Sequence, residues 1–146
     1  MASPILGPVI ALAAWSLVML VWVVVTRLPA LKSVGIDLAK AQGGKPGGLD
    51  GVIPDSVQWK AHNYIHLMEQ PTLFYAVCLA LAVGGAGAEP LNVWPAWAYV
   101  GLRVLHSLVQ ATSNIVRIRF TLFALSTLAL LMLVVHGAFM MVHHAG

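Results

Sequence analysis

The sequence predicts an all-α integral membrane protein, a bundle of four transmembrane helices formed by one domain, residues 1–146. Of its 146 residues, 60% are hydrophobic and only 9% are charged. A soluble domain carries about a quarter charged residues, so most of this surface does not face water. Four apolar segments stand out along the chain, and a bilayer core of ~30 Å offers the backbone no hydrogen-bond partner. Each predicted span is therefore helical.

The first predicted span covers residues 5–26 and reaches ~33 Å at ~1.5 Å per residue. It is long for the apolar region of a signal peptide, and no Lys or Arg precedes it, so we expect it to be retained. The second span, 57–83, follows the sequence Ile-Pro-Asp-Ser, which is typical of a helix N-terminus. The third, 95–111, follows a loop punctuated by prolines, and the fourth, 118–141, is almost uninterrupted apolar sequence.

Loop charges predict how the chain lies in the membrane. Lysine and arginine concentrate in the first loop, residues 27–55, and at the third connection, whereas the second loop and both chain ends have none. The positive-inside rule then places the first and third loops in the cytoplasm and both termini on the opposite side. No basic tract is dense enough for nucleic acid, so the expected surroundings are membrane lipids.

The second span opens with polar side chains. His62, His66 and Glu69 follow the spacing i, i+4, i+7 and therefore share one helix face, with Asn63 and Gln70 beside it. A polar helix end that reaches the headgroups explains His62 equally well, but it explains the deeper Glu69 less well. The three residues also have a spacing that a divalent metal can use, although we expect no metal site.

The third span carries a polar stripe formed by Arg103, His106, Gln110 and Asn114 at steps of three to four residues. Ionisable groups inside a span usually face the bundle interior or a wet cavity. An arginine cannot lose its charge and needs an acceptor, and Glu69 is the only acidic residue within any span. We predict that Arg103 and Glu69 pair directly or hold one polar ligand together. The alternative is that they simply join two helices.

The fourth span begins with Arg117 and Arg119, which point about 200° apart on a helix, so at most one faces the bundle easily. Further along, His136 lies in apolar sequence as either a packed histidine or an interhelical donor. The single cysteine, Cys78, excludes an intrachain disulfide.

These features together resemble the MAPEG family, membrane-associated proteins in eicosanoid and glutathione metabolism. The resemblance rests on four spans, an "AH…E…P" start of the second helix, an "R-x2-H" third helix and an arginine-bearing start of the fourth. It covers residues 5–141 and is most specific over Lys60–Pro71 and Arg103–Arg119. The resemblance implies a bacterial-type member in the inner membrane. It also implies a homotrimer with glutathione between neighbouring subunits near the cytoplasmic face.

Motif matching then assigns expected roles. On the second helix, Lys60 stands where the family usually has arginine, and His62 is in place. His66 and Glu69 take the spacing of the family's Asn-x2-Glu, with Glu69 expected to hold the amino group of glutathione. The expected cofactor-binding residues of the third helix and its end are Arg103, His106, Gln110 and Asn114.

The family resemblance also implies a reaction. An arginine at the start of the fourth helix, Arg117 or Arg119, is expected to stabilise the glutathione thiolate and is the catalytic candidate. The implied function is a glutathione-dependent transferase or peroxidase acting on a hydrophobic electrophile. Gln110 stands where the family's enzymes often have tyrosine. A non-enzymatic protein of the same fold that binds lipid or fatty acid is therefore the alternative.

Overall fold

The computed structural model describes residues 2–45 and 47–144, without the side chains of Met141, His143 and His144. Four helices make up this part of the chain: α1 (Leu6–Ser33), α2 (Asp55–Val83), α3 (Pro90–Thr112) and α4 (Val116–His144). No strand occurs among these residues, and the predicted all-α class is confirmed. The helix α1 packs mainly on α2, and α3 packs mainly on α4.

Three of the helices are long and apolar enough to cross a membrane: α1, α2 and the part of α4 up to Met140. The helix α3 is not among them, although its 23 residues reach ~35 Å at ~1.5 Å per residue. Its polar stripe lowers its mean hydropathy. Because that stripe is buried, the composition of α3 understates how apolar its outer surface is. Whether α3, the predicted third span, crosses the membrane therefore stays a prediction.

Two helix ends differ from the predicted spans by five or more residues. The helix α1 continues to Ser33, past Arg27 and Pro29, because backbone hydrogen bonding does not stop where the apolar stretch stops. The helix α3 begins at Pro90, within the proline-containing stretch that the sequence predicts to be a loop. A proline at the first helical position has a suitable φ and needs no N–H acceptor, so Pro90 starts the helix and Pro95 lies inside it.

Hydrogen bonds between side chains connect the helices in the bundle interior. The hydroxyl of Tyr99 donates to Oε1 of Gln70 at 3.3 Å, and Nε2 of Gln70 donates to the hydroxyl of Thr127 at 2.9 Å. These two hydrogen bonds together connect α3, α2 and α4. Next to it, the rings of Phe74 and Tyr99 stack with centroids 4.4 Å apart. Interhelical hydrogen bonds in membranes contribute about 0.6–2 kcal/mol each, so the network helps to fix the packing of three helices.

A second polar cluster joins the start of α3 to α4. The side chain of Asn92 is fully buried, and its Nδ2 donates to the carbonyl of Ala86 at 2.8 Å. Its Oδ1 therefore accepts from Nδ1 of His136 at 2.7 Å. The Nε2 of His136 lies 3.8 Å from the carboxylate of Glu89. Of the two roles open for His136, the structure shows the interhelical donor.

The outer surface of the bundle is apolar. Large side chains such as Leu17, Trp94 and Phe120 expose 64%, 74% and 70% of their surface. A water-soluble protein rarely leaves so many large apolar side chains uncovered. The chain is an integral membrane protein whose outer surface suits lipid.

Candidate functional site

The polar stripe of α3 faces the bundle interior, as predicted. Arg103 and Ser107 are fully buried, and His106 and Gln110 expose 2% and 6% of their surface. Their spacing of three to four residues puts them on one face, and α2 and α4 cover that face. The structure therefore contains a charged side chain deep inside an otherwise apolar bundle.

The Arg103 guanidinium has few partners for a buried charge. Its Nη2 donates to the backbone carbonyl of His66 at 3.0 Å, and its Cζ lies 5.8 Å from the ring centre of Phe123. Its Nε and Nη1 atoms have no hydrogen-bond partner among the described residues. Unpaired buried donors normally mark an unsatisfied site or a missing ligand or water.

The predicted direct pair between Arg103 and Glu69 is wrong. The side chain of Glu69 is 60% exposed, and its carboxylate lies 2.7 Å from Nδ1 of His66. Glu69 follows the buried Leu67 by two residues, which is about 200° around a helix. Because Leu67 packs inward, Glu69 turns outward, and the structure shows no hydrogen bond or ion pair between its carboxylate and the guanidinium.

A recess of about 200 Å³ lies between these helices, close to the connection from α3 to α4. Three aromatic rings line it close to one another. The ring centre of His66 lies 5.2 Å from that of His106 and 5.5 Å from that of Phe123. The lining residues are His66, His106, Val116, Arg119, Phe120 and Phe123. Since His66 and Phe123 also contact Arg103, the buried guanidinium lies next to two of the lining residues, although it does not line the recess itself.

The structure distinguishes between the two arginines at the start of α4. Arg119 is half-buried and lines the recess, and its Nη1 donates to Oδ1 of Asn114. Arg117 is exposed and does not line the recess. This confirms that only one of the two faces the bundle. The recess thus has an arginine on its wall and another next to two of its lining residues.

Asn114 does not lie on the third helix, contrary to the predicted stripe. It follows the end of α3 with a φ of 51°, a left-handed conformation that asparagine tolerates better than most residues. Its N–H donates to the carbonyl of Val109 at 2.7 Å and so closes the end of the helix. Asn114 does not line the recess, and its link to the recess is the hydrogen bond that its side chain accepts from Arg119.

Lys60 and His62 are not brought into the recess. The ammonium of Lys60 donates to the carbonyls of Ser56, at 2.8 Å, and Ala111, at 3.2 Å, and lies over the ring of Trp22. It therefore holds the C-terminal end of α3 against α2. His62 is exposed. In this chain the geometry gives Lys60 a structural contact and leaves His62 on the outer surface.

Asn63 is the polar residue that sequence reasoning underrated. It is fully buried, its Nδ2 donates to the hydroxyl of Ser107 at 2.5 Å, and its Oδ1 has no partner among the described residues. The available signal was its register, since Asn63, Leu67, Phe74 and Cys78 recur at helical spacing and are all buried. The inward face of α2 is thus the one that contains Asn63, and His66 lies at its edge.

The described residues contain no group of three His, Cys, Asp or Glu side chains that is placed to hold a metal ion. The metal alternative at His62, His66 and Glu69 therefore has no support from the geometry. The recess has a different character: an arginine, two imidazoles and two phenyl rings, with no carboxylate on its walls. Such a surface attracts an anionic group attached to an apolar or polarisable body.

The comparisons with known proteins agree with this architecture. A model of the MAPEG family matches residues 5–139, which is nearly the whole chain. No curated protein and no solved structure matches the chain. The match covers α1, α2, α3 and most of α4, and it includes Arg103 and Arg119. From the extent of that match and the four-helix architecture, we conclude that the chain belongs to the MAPEG family.

Proposed function

We propose that this protein is a glutathione-dependent membrane transferase or peroxidase that acts on hydrophobic electrophiles. The observation that supports it best is the fully buried Arg103, whose Nε and Nη1 have no partner among the described residues and which lies next to two lining residues of the recess that contains Arg119. The MAPEG family includes glutathione transferases and peroxidases. An anionic ligand in the recess would supply the partner that the buried guanidinium lacks.

The chemistry of glutathione fits these groups. It carries two carboxylates, one ammonium group and a thiol, and arginine binds carboxylates through charge-assisted hydrogen bonds. In this proposal Arg103 directs its free donors toward a carboxylate, and Arg119 meets the sulfur. The thiolate is the nucleophile, and a nearby guanidinium lowers the pKa of a thiol. Arg119 therefore favours the reactive form at neutral pH.

The size of the recess argues for a site shared between subunits. Pockets for drug-sized ligands usually enclose ~300–1,000 Å³, so about 200 Å³ accommodates only part of the tripeptide. Glu69, the proposed partner of the ammonium group, lies on the outward face of α2. A ligand that reaches both lies across the outer surface of one chain, where a neighbouring subunit can cover it. This supports the homotrimer that we propose.

The hydrophobic substrate has a direct route from the bilayer. Val116 and Phe120 line the recess, yet each exposes 70% of its surface on the outside of α4. An electrophile dissolved in lipid therefore meets apolar walls before it meets Arg119. In the proposed orientation this end of the bundle is cytoplasmic, where glutathione is available, and both termini lie on the other side.

Binding and thiolate formation test the proposal. The protein purified in detergent is titrated with millimolar glutathione by calorimetry, and the ultraviolet absorbance of the bound thiolate is recorded. We expect saturable binding, strong weakening by Glu69→Ala and loss of binding in Arg103→Met. Tyr99→Phe, which alters a buried polar contact away from the recess, is the matched control. The absence of any binding at millimolar glutathione would remove the proposal.

A second candidate function is supported by a different cavity. An apolar space of about 310 Å³ lies between α2 and α4 at the far end from Arg119, lined by residues such as Val77, Leu81 and Val134. With Gln110 in place of the family's frequent tyrosine, this space supports a non-enzymatic lipid- or fatty-acid-binding protein. Co-purified lipid without any effect on a thiol would favour that alternative.

A further inference from the structure

Asn114 makes two contacts that few other residue types would make together. Its backbone adopts a φ of 51° and ends α3 by donating to the carbonyl of Val109. Its side-chain Oδ1 accepts from Nη1 of Arg119. The residue therefore connects the end of α3 to the arginine on the recess wall.

Arg119 needs such a connection. Its Nε has no partner among the described residues, so Asn114 provides the side-chain hydrogen bond that the structure shows for this guanidinium. It lies in the first turn of α4, beside the exposed Val116 and Phe120. A long flexible side chain at this level would otherwise extend to the lipid headgroups. The hydrogen bond holds the guanidinium at the recess instead.

We infer that Asn114 is a positioning residue that orients Arg119 toward the glutathione thiolate. This inference rests on the proposed function. The neutral amide matters for electrostatics as well as for geometry. A carboxylate in the same place would orient the guanidinium but would offset the charge that stabilises a thiolate. The amide anchors Arg119 and leaves its positive charge available to the ligand.

Two substitutions separate this role from helix termination. Asn114→Gly keeps the tolerance of positive φ and removes only the side-chain amide. Asn114→Ala removes the side-chain amide and also the tolerance of positive φ. If Asn114 only ended the helix, Asn114→Gly would behave like the unmodified protein, and Asn114→Ala would lose both stability and activity. If it positions Arg119, both variants lose activity and only Asn114→Ala loses thermal stability. Thr112→Ala, an exposed change at the same helix end, is the matched control.

The experiment measures the pH titration of the bound thiolate, together with kcat and KM for glutathione, in detergent-solubilised protein. We expect Asn114→Gly to raise the titration midpoint by about one pH unit, which is a tenfold loss of thiolate at a pH below both midpoints. We expect kcat to fall about tenfold and KM to change less than twofold, because the binding contacts remain. In an Arg119→Ala background, Asn114→Gly should have no further effect, since it acts through that arginine.

The possible results separate failure of the positioning role of Asn114 from failure of the proposed glutathione-dependent function. If the unmodified protein forms a thiolate and Asn114→Gly leaves its midpoint and kcat unchanged, the positioning role is wrong and the proposed function stands. An equal additional loss in the Arg119→Ala background would also overturn the positioning role. If the unmodified protein forms no thiolate at all, the proposed function fails and this inference fails with it.

Discussion

Replacing Arg103 by methionine should make the ligand-free protein more stable. The change removes a charged-group hydrogen bond, about 1.5–3 kcal/mol, and the contact with Phe123, about 0.5–1 kcal/mol. It also removes two unpaired buried donors, which cost about 1–3 kcal/mol each. That penalty is part of the cost of taking the whole guanidinium out of water, which is several kcal/mol in total. This total exceeds the two lost contacts, so the sign favours methionine.

The expected net gain is about 1–4 kcal/mol, the range seen when buried charges are replaced by apolar residues of similar volume. For a chain of this size, 1 kcal/mol moves Tm by about 2–4 °C, so Arg103→Met should unfold at least ~2 °C higher. Thermal unfolding in detergent, followed by tryptophan fluorescence, measures this directly. Millimolar glutathione should raise the Tm of the unmodified protein and leave that of Arg103→Met unchanged, because ligand binding stabilises only a protein that binds it.

Two results would refute this reasoning. If Arg103→Met unfolds several degrees lower without ligand, the guanidinium is a structural link between α3 and the backbone of α2. If glutathione stabilises the variant as much as the unmodified protein, Arg103 does not contact the ligand. Tyr99→Phe is the control, since it removes a buried hydroxyl that donates to Gln70 and should keep the response to glutathione.

Three further predictions follow from other contacts. Arg119→Ala should greatly reduce the thiolate absorbance of bound glutathione while Arg117→Ala retains it, and equal losses would mean that the recess is not the reaction site. Gln70→Leu should lower stability by about 1–2 kcal/mol, seen as a lower Tm, because it removes two interhelical hydrogen bonds. Its glutathione binding, measured by calorimetry, should persist. Asn92→Leu should cost about 2–3 kcal/mol in thermal unfolding, because it leaves a buried carbonyl and His136 without their partner; an unchanged Tm would contradict this.

The sequence was a good guide to helix existence and a weaker guide to helix ends. Apolar segments locate α1, α2 and α4 because lipid requires long apolar helices. The ends moved where local backbone chemistry, not polarity, sets the boundary. Pro90 starts α3 because a first-turn proline loses no hydrogen bond, and α1 runs beyond Arg27 because a helix can continue outside the apolar layer.

The sequence was also a partial guide to the site. Burial of Arg103 and His106 could be predicted, since a charged stripe on an apolar helix avoids lipid. The spacing of Arg117 and Arg119 showed that only one faces inward, but the choice between them depends on how α4 is rotated against α3. Asn114 was predicted as part of the stripe on the third helix, and that placement was wrong because its left-handed backbone breaks the helical spacing on which the prediction relied.

What the sequence determined by itself is the class of the molecule: a helical membrane bundle with an interior arginine and a polar start to α2. What only the tertiary structure decided is which partner that arginine meets. Helical periodicity shows that His62, His66 and Glu69 share one face and that Asn63, His66 and Gln70 share another about 70° away. The periodicity does not show which face turns inward. The packing of Leu67 and Phe74 turned the second face inward, and so placed Glu69 on the outer surface and left Arg103 without a carboxylate partner.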